Sequence, residues 1–185
     1  IFSYFVSAAL SSVILTSIIL AIGLGVIGVQ GDIYLGIDDI AKAFGVVALG
    51  SISATSIFMI VVLFFKSVSA SGAFFGMLSA ASGFIIGAYI PISQFSENIQ
   101  TVCNIFPASQ ITIVLRNVLI NGLLEHMNIS LAGVDHGMFV TIIKELFSFK
   151  ARIFDGYLDV TQMLGYISVS ILVCIVVQII VYSKT

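Results

Sequence analysis

Histidine and cysteine are the residues from which most small metal and catalytic sites are built, and this chain has two of each. His126 and His136 stand ten residues apart in a loop region, whereas metal ligands usually come at helical or turn spacing. Cys174 lies inside a long apolar run far from Cys103, so we expect two small apolar thiols rather than a disulfide. The sequence therefore predicts no metal site.

Other arrangements that carry chemistry are also missing from the sequence. It has no HExxH pattern, no glycine loop followed by Lys and Ser or Thr, and no serine elbow. Its long apolar segments lack the buried acids and bases that ion-coupled carriers keep in the membrane. We expect a chain that is not an enzyme, that has no catalytic or cofactor-binding residue, and that takes any energy it uses from a partner.

Arg116 is the single charge in the apolar segment 108–124. One interpretation is that it contacts a polar ligand or a lipid headgroup. The other is that its side chain extends to the membrane surface or pairs with a nearby acid. The residue types alone leave both open.

The composition predicts what kind of secondary structure holds these residues. Hydrophobic residues make up 59% of the chain and charged residues 9%, against about 25% charged residues in a soluble domain. Each of four apolar runs is long enough to cross about 30 Å of hydrocarbon as a helix. We therefore predict an all-α integral membrane protein, a multi-pass helical bundle in the lipid bilayer. The spans are predicted at about 2–27, 43–65, 72–90 and 161–182.

Small residues recur in two of the spans. Ser3, Ser7 and Ser11 lie on one face of the first, with Thr16 near that face, and their hydroxyls either bond across a helix contact or back to their own helix. The third span has a ridge of small residues at spacings that allow two helices to approach closely. This helix-packing ridge consists of Gly72, Gly76, Ala80, Gly83 and Gly87.

Two prolines divide the segment after the third span. Pro91 is predicted to end that span, and Pro107 is placed to begin a new helix. Two short helices with a proline between them indicate a re-entrant hairpin at about 98–124, with Arg116 in its second helix. A further segment follows at about 121–159, and the stretch 97–159 carries ten of the sixteen charges of the chain. The periodicity of Met138–Phe154 predicts a helix at the membrane interface.

These residues carry a resemblance. Gly83 to Phe95 reads G-F-I-I-G-A-Y-I-P-I-S-Q-F, and Ile105 to Ala108 reads I-F-P-A. The order of glycine-rich helix, proline and short hairpin resembles the permease subunits of type-2 ATP-binding-cassette exporters. The resemblance implies that the four spans are the third to sixth of six, so that the chain is the C-terminal two-thirds of a subunit. It also implies a bacterial plasma membrane, with Lys66 cytoplasmic and the hairpin and segment 121–159 outside.

The resemblance further implies a function and partners. Such a subunit moves an amphipathic or hydrophobic substrate, such as a drug, a peptide or a lipid-linked glycan, out of the cell. A second permease subunit, identical or different, completes the path, and cassette ATPase subunits bind the ATP and Mg²⁺. The short turn between the second and third spans is the candidate ATPase contact. Its residues are Lys66, Ser67, Val68 and Ser69.

One other class of function fits the same composition. A membrane sensor or an immunity protein would not transport anything and would bind a ligand through segment 121–159. A net charge of −2 gives no reason to expect a nucleic-acid partner in either case.

Overall fold

The computed structural model describes residues 2–31, 34–130 and 137–183. Within them the chain forms seven α-helices, one short 3₁₀ turn and one two-stranded antiparallel hairpin. The helices are α1 (Phe2–Gln30), α2 (Ile37–Leu63), α3 (Val68–Ile85), α4 (Glu97–Ile105), α5 (Pro107–Ser130), α6 (Met138–Leu146) and α7 (Val160–Ser183). The 3₁₀ turn is Ile92–Gln94, and the strands are β1 (Ala151–Ile153) and β2 (Gly156–Leu158).

Four of the described helices are long and apolar enough to cross a bilayer, namely α1, α2, α3 and α7. This agrees with the prediction of an all-α membrane protein with several spans. The start of α2 differs from the predicted residue 43, because the acidic residues before it join the helix. Asp38 and Asp39 lie in its first turn, where negative charge suits the helix dipole, and Asp39 accepts a bond from the Gly36 N–H at 3.3 Å.

The core forms where α5 and α7 pack against α2. Val46 of α2 joins Ile113 and Val114 of α5 and Met163 of α7 in one buried cluster. Gly50 lets α5 approach closely, since a Cβ there would lie 2.9 Å from two carbon atoms of Ile111. The buried core is therefore centred on α2, while α1 and α3 expose most of their surface.

Contacts along α2 show how its two neighbours run. Near its start α2 shares the core cluster with Met163, and further along the Ser56 carbonyl accepts a 2.7 Å bond from the Gln178 amide, so α2 and α7 run in the same direction. Gly50 lies against Ile111, and α5 runs back past the start of α2, where Gly122 meets the Tyr34 carbonyl. Thus α5 runs antiparallel to α2.

The first span packs on α2 through hydroxyl groups. Thr16 Oγ1 lies 2.8 Å from Ser51 Oγ across the contact and also donates to the Ser12 carbonyl of its own helix at 2.8 Å. Thr16 therefore bonds both across the helix contact and back to its own helix, which are the two alternatives for these small polar residues.

The third span ends earlier than predicted. Instead of reaching residue 90 and stopping at Pro91, α3 ends at Ile85, because Gly87 adopts a left-handed conformation with φ of 72°. The Ala88 N–H then bonds to the Gly83 carbonyl at 2.9 Å, and the Gly87 N–H bonds to the Phe84 carbonyl at 3.2 Å. These are the two bonds of a Schellman motif. Pro91 follows in the next turn.

The small-residue ridge divides into two parts. A Cβ on Gly72 or Gly76 would meet no described heavy atom within 4 Å, whereas Gly83 lies under the Tyr89 ring and Gly87 closes the helix. The first turns of α3 instead contact α2 through aromatic rings, with the centroids of Phe58 and Phe75 5.5 Å apart. Within the described chain, Gly83 and Gly87 therefore serve to end the helix. We call Gly72 and Gly76 the lower ridge, and their role in helix packing stays a prediction.

The segment after α5 also differs from the sequence prediction. Helix α5 continues to Ser130, and the helix predicted over Met138–Phe154 ends at Leu146. Ser148 has a positive φ of 54°, which stops the helix, and residues 151–158 then pair as β1 and β2. The helical periodicity was real only for its first nine residues.

We predict opposite effects for two glycine substitutions in α3. Gly87→Ala should lower the free energy of unfolding by about 1–2 kcal/mol, because a side chain resists the left-handed conformation. Gly72→Ala should raise it by up to about 1 kcal/mol, because this glycine is helical and a methyl group meets open space. Unfolding of the protein in detergent measures both, and equal effects would contradict the assignment of Gly87.

Candidate functional site

The most irregular part of the bundle is the junction between α4 and α5, which meet at an angle of 94°. Pro107 is the first residue of α5, a position where its missing N–H leaves no bond unmade. The two helices flanking Pro107 agree with the sequence prediction. Helix α5, however, is 24 residues long, more than the second helix of a short hairpin needs.

Side chains of α5 satisfy the carbonyl groups that end α4. Ser109 Oγ donates to the Cys103 carbonyl at 2.7 Å, and the Gln110 amide donates to the Asn104 carbonyl at 2.7 Å. Asn104 itself donates to the Arg152 carbonyl of β1 at 3.0 Å. Because the last carbonyls of a helix lack partners within it, the bonds from Ser109 and Gln110 satisfy two carbonyls at the end of α4 from the next helix.

Two further contacts fix the junction to its surroundings. The Tyr166 hydroxyl of α7 donates to the Ile105 carbonyl at 2.8 Å. At the other end of α4, Arg152 forms an ion pair with Glu97 at 2.8 Å. The junction is therefore held from α5, α7 and β1 together.

Arg116 connects three elements. Its guanidinium donates to the carbonyls of Phe147, of Ser148 at 3.4 Å and of Gly87 at 3.4 Å. These groups belong to the turn after α6 and to the end of α3. Among residues 2–31, 34–130 and 137–183, no carboxylate lies within 4 Å of it, so the nearby-acid interpretation finds no support in the described chain. Contact with a ligand or headgroup and extension of the side chain to the membrane surface both stay open.

A groove of about 440 Å³ runs between α1 and α5, beside the residues that lead into α2. Its walls are apolar except for Tyr34, Thr112 and the Arg116 side chain. A second hollow of about 350 Å³ lies between α4 and the β1–β2 turn, near Glu97 and Asp155. We call the first the α1–α5 groove, and its walls include Leu24, Ile27, Tyr34, Leu115, Arg116 and Leu119.

Several polar groups buried inside the bundle have no signal in the residue order. Ser53 and Ser56 of α2, Gln110 of α5 and Gln178 of α7 are all at least nine-tenths buried. Gln178 is bonded to α2, while the Ser53 hydroxyl and the Gln110 carbonyl oxygen find no partner in the described chain. Isolated polar residues in an apolar run look alike whether they face lipid or protein, so only the fold distinguishes them.

The candidate ATPase contact lies partly in α3. Lys66 is exposed in the turn, and Ser67 is the N-cap of α3, where its hydroxyl accepts a 3.2 Å bond from the Ala70 N–H. Val68 and Ser69, expected in the turn because the third span was predicted to start at residue 72, instead form the first turn of the helix. The N-cap explains this earlier start.

The histidines and cysteines are separate in space as far as the structure describes them. The ring of His126 stacks on Tyr34 with a centroid distance of 4.0 Å, and His136 lies outside the described residues. Cys103 is buried, Cys174 is half-buried, and both are free thiols. Among the described residues no three His, Cys, Asp or Glu side chains come close enough to hold a metal ion.

Comparison with protein-family models, with curated proteins and with solved structures gives no match for this chain. Its function must therefore be argued from the apolar helices, the junction and the grooves.

We predict that Asn104→Ala loosens the junction. Losing one buried hydrogen bond costs about 1 kcal/mol, which corresponds to about a fivefold increase in local opening. In a Cys174→Ser background, Cys103 should then react faster with a maleimide by about that factor. Asn98→Ala, on the exposed side of α4, is the matched control, and an unchanged labelling rate in Asn104→Ala would show that this bond does not hold the junction closed.

Proposed function

We propose that this chain is part of the membrane permease of an ATP-binding-cassette exporter. Its substrate would be amphipathic or hydrophobic, and its energy would come from ATP and Mg²⁺ bound by separate ATPase subunits. The observation that carries the proposal is the junction between α4 and α5, placed between the third and last apolar spans as the sequence resemblance requires. Its internally bonded carbonyls would allow the helix pair to enter the membrane as a re-entrant element.

The directions of the helices support one placement in the membrane. If α1, α2, α3 and α7 each cross once, Lys66 lies on one side, and the start of α2, α6 and the β1–β2 hairpin lie on the other. The proposal puts Lys66 in the cytoplasm and the β1–β2 hairpin outside. Cysteines introduced at residue 66 and at residue 155, labelled from intact cells in a cysteine-free background, test this: labelling of residue 66 from outside would refute it.

The lower ridge of α3 is a candidate contact surface for a second permease subunit. Gly72 and Gly76 face open space in the described chain, and small residues let two membrane helices approach closely. We propose that this side of α3 contacts the second subunit, identical or different. Cross-linking between cysteines at residue 76 of two copies supports an identical partner.

The direct test of the function is association with an ATPase. The full-length protein, expressed with its neighbouring genes and purified in detergent, should bring a cassette ATPase with it. Transport activity without such an ATPase would refute the proposal, and ligand binding by segment 121–159 without transport would favour the sensor or immunity function.

We predict that Lys66→Glu weakens coupling to the ATPase. Reversing an exposed charge in the turn should reduce the ATP hydrolysis that the permease stimulates while leaving the melting temperature unchanged. Lys150→Glu, an equal charge change on the opposite side, is the control. Ser67 is not used, because loss of its N-cap bond would itself destabilise α3 by about 1 kcal/mol. Equal hydrolysis in both variants would remove this turn from the interface.

A further inference from the structure

We propose that the α1–α5 groove binds an anionic phospholipid, with the phosphate headgroup at Arg116 and an acyl chain along the apolar walls. The inference depends on the membrane setting of the helices and not on the exporter function, so either can fail alone. It rests on the charge of Arg116, on its depth in the bundle and on the shape of the groove.

The charge of Arg116 is not balanced within the described chain. A guanidinium has five N–H donors, and the three bonds to the carbonyls of Gly87, Phe147 and Ser148 leave two. Those carbonyls are neutral, and no described carboxylate lies within 4 Å. A phosphate supplies both the missing negative charge and acceptors for the remaining donors, and an arginine–phosphate pair is often bidentate, which adds energy and geometric specificity.

The depth of Arg116 suits a headgroup. Helix α1 has 29 residues and is about 43 Å long, which exceeds the hydrocarbon thickness of about 30 Å. Arg116 is six residues before Gly122, which meets Tyr34 just beyond the end of α1, and six residues of helix span about 9 Å. The guanidinium therefore lies near the level where headgroups meet hydrocarbon.

The walls of the groove suit an acyl chain. Leu115 and Leu119 are one helical turn apart on α5, and they face Leu24 and Ile27 of α1 across about 440 Å³. Ile27 is still 56% exposed in the described chain. Lipid tails are as apolar as leucine, so these walls can bind any acyl chain and do not distinguish one lipid from another. Selection must come from Arg116, and the groove should distinguish lipids by headgroup charge.

The first test compares two lipids that differ in headgroup charge. Phosphatidylglycerol added to the full-length protein in a nonionic detergent should raise the melting temperature more than phosphatidylcholine with the same acyl chains. Native mass spectrometry should show more phosphatidylglycerol retained. Arg116→Gln should weaken its apparent affinity about tenfold or more, whereas Lys42→Gln, which removes an exposed charge, should not. Equal effects of the two lipids on the unsubstituted protein would overturn the proposal.

A second variant tests the groove without touching the guanidinium. Leu119→Trp should fill the space and remove the phosphatidylglycerol-dependent rise in melting temperature while Arg116 keeps its carbonyl bonds. This variant decides the question even if Arg116→Gln does not fold. Retention of the full effect in Leu119→Trp would overturn the proposal. An equal rise with inorganic phosphate alone would also overturn it, because the site would then bind a small anion and not a lipid.

Discussion

Backbone carbonyl groups that end a helix away from water need a donor, and this constraint governs the junction between α4 and α5. The chain turns by 94° at this point, so the regular bonds of one helix cannot continue into the next. Ser109 and Gln110 supply the missing donors from the first turn of α5, and Asn104 connects the same point to β1. An apolar residue at any of these positions would remove one of these hydrogen bonds, at a cost of about 1 kcal/mol each.

The same need for donors explains the two kinds of residue on α5. Its apolar residues Ile113 and Val114 fill the core against α2 and α7, while its polar residues serve the ends of neighbouring elements. Arg116 satisfies carbonyls at the end of α3 and after α6, and Asn117 donates to the Phe149 carbonyl at 2.8 Å. The helix thus combines close packing with donors for chain segments that have no regular partners.

The sequence predicted the features that depend on length and composition, and it missed those that depend on contacts between distant residues. Four long apolar runs indicate four spans in any arrangement, and Pro107 marks a helix start through its own covalent structure. The predicted end of α3 was wrong because Pro91 is the stronger signal in the local sequence. In the structure Gly87 stops the helix before the chain reaches Pro91. The β1–β2 hairpin was missed because strands of three residues leave no periodicity to read.

In the candidate site, too, the sequence indicated some features and missed those that depend on distant contacts. The sequence drew attention to Arg116 as an unusual charge, but its three carbonyl partners come from positions about 30 residues away on either side and have no signature in the residue order. The buried amides of Gln110 and Gln178 looked like ordinary polar residues near the ends of apolar runs. Their importance follows from the packing of α5 and α7 on α2, which a single sequence does not specify.

The attachment of α3 at its two ends has a mechanical consequence. In its first half, the Phe75 ring contacts Phe58 of α2, and just beyond its end the Gly87 carbonyl accepts from Arg116, while Gly72 and Gly76 face open space. Rolling α3 about its long axis would strain the bond between the Gly87 carbonyl and Arg116. Because Arg116 belongs to the same helix as the core residues Ile113 and Val114, a torque applied to the open side of α3 would be transmitted to α5.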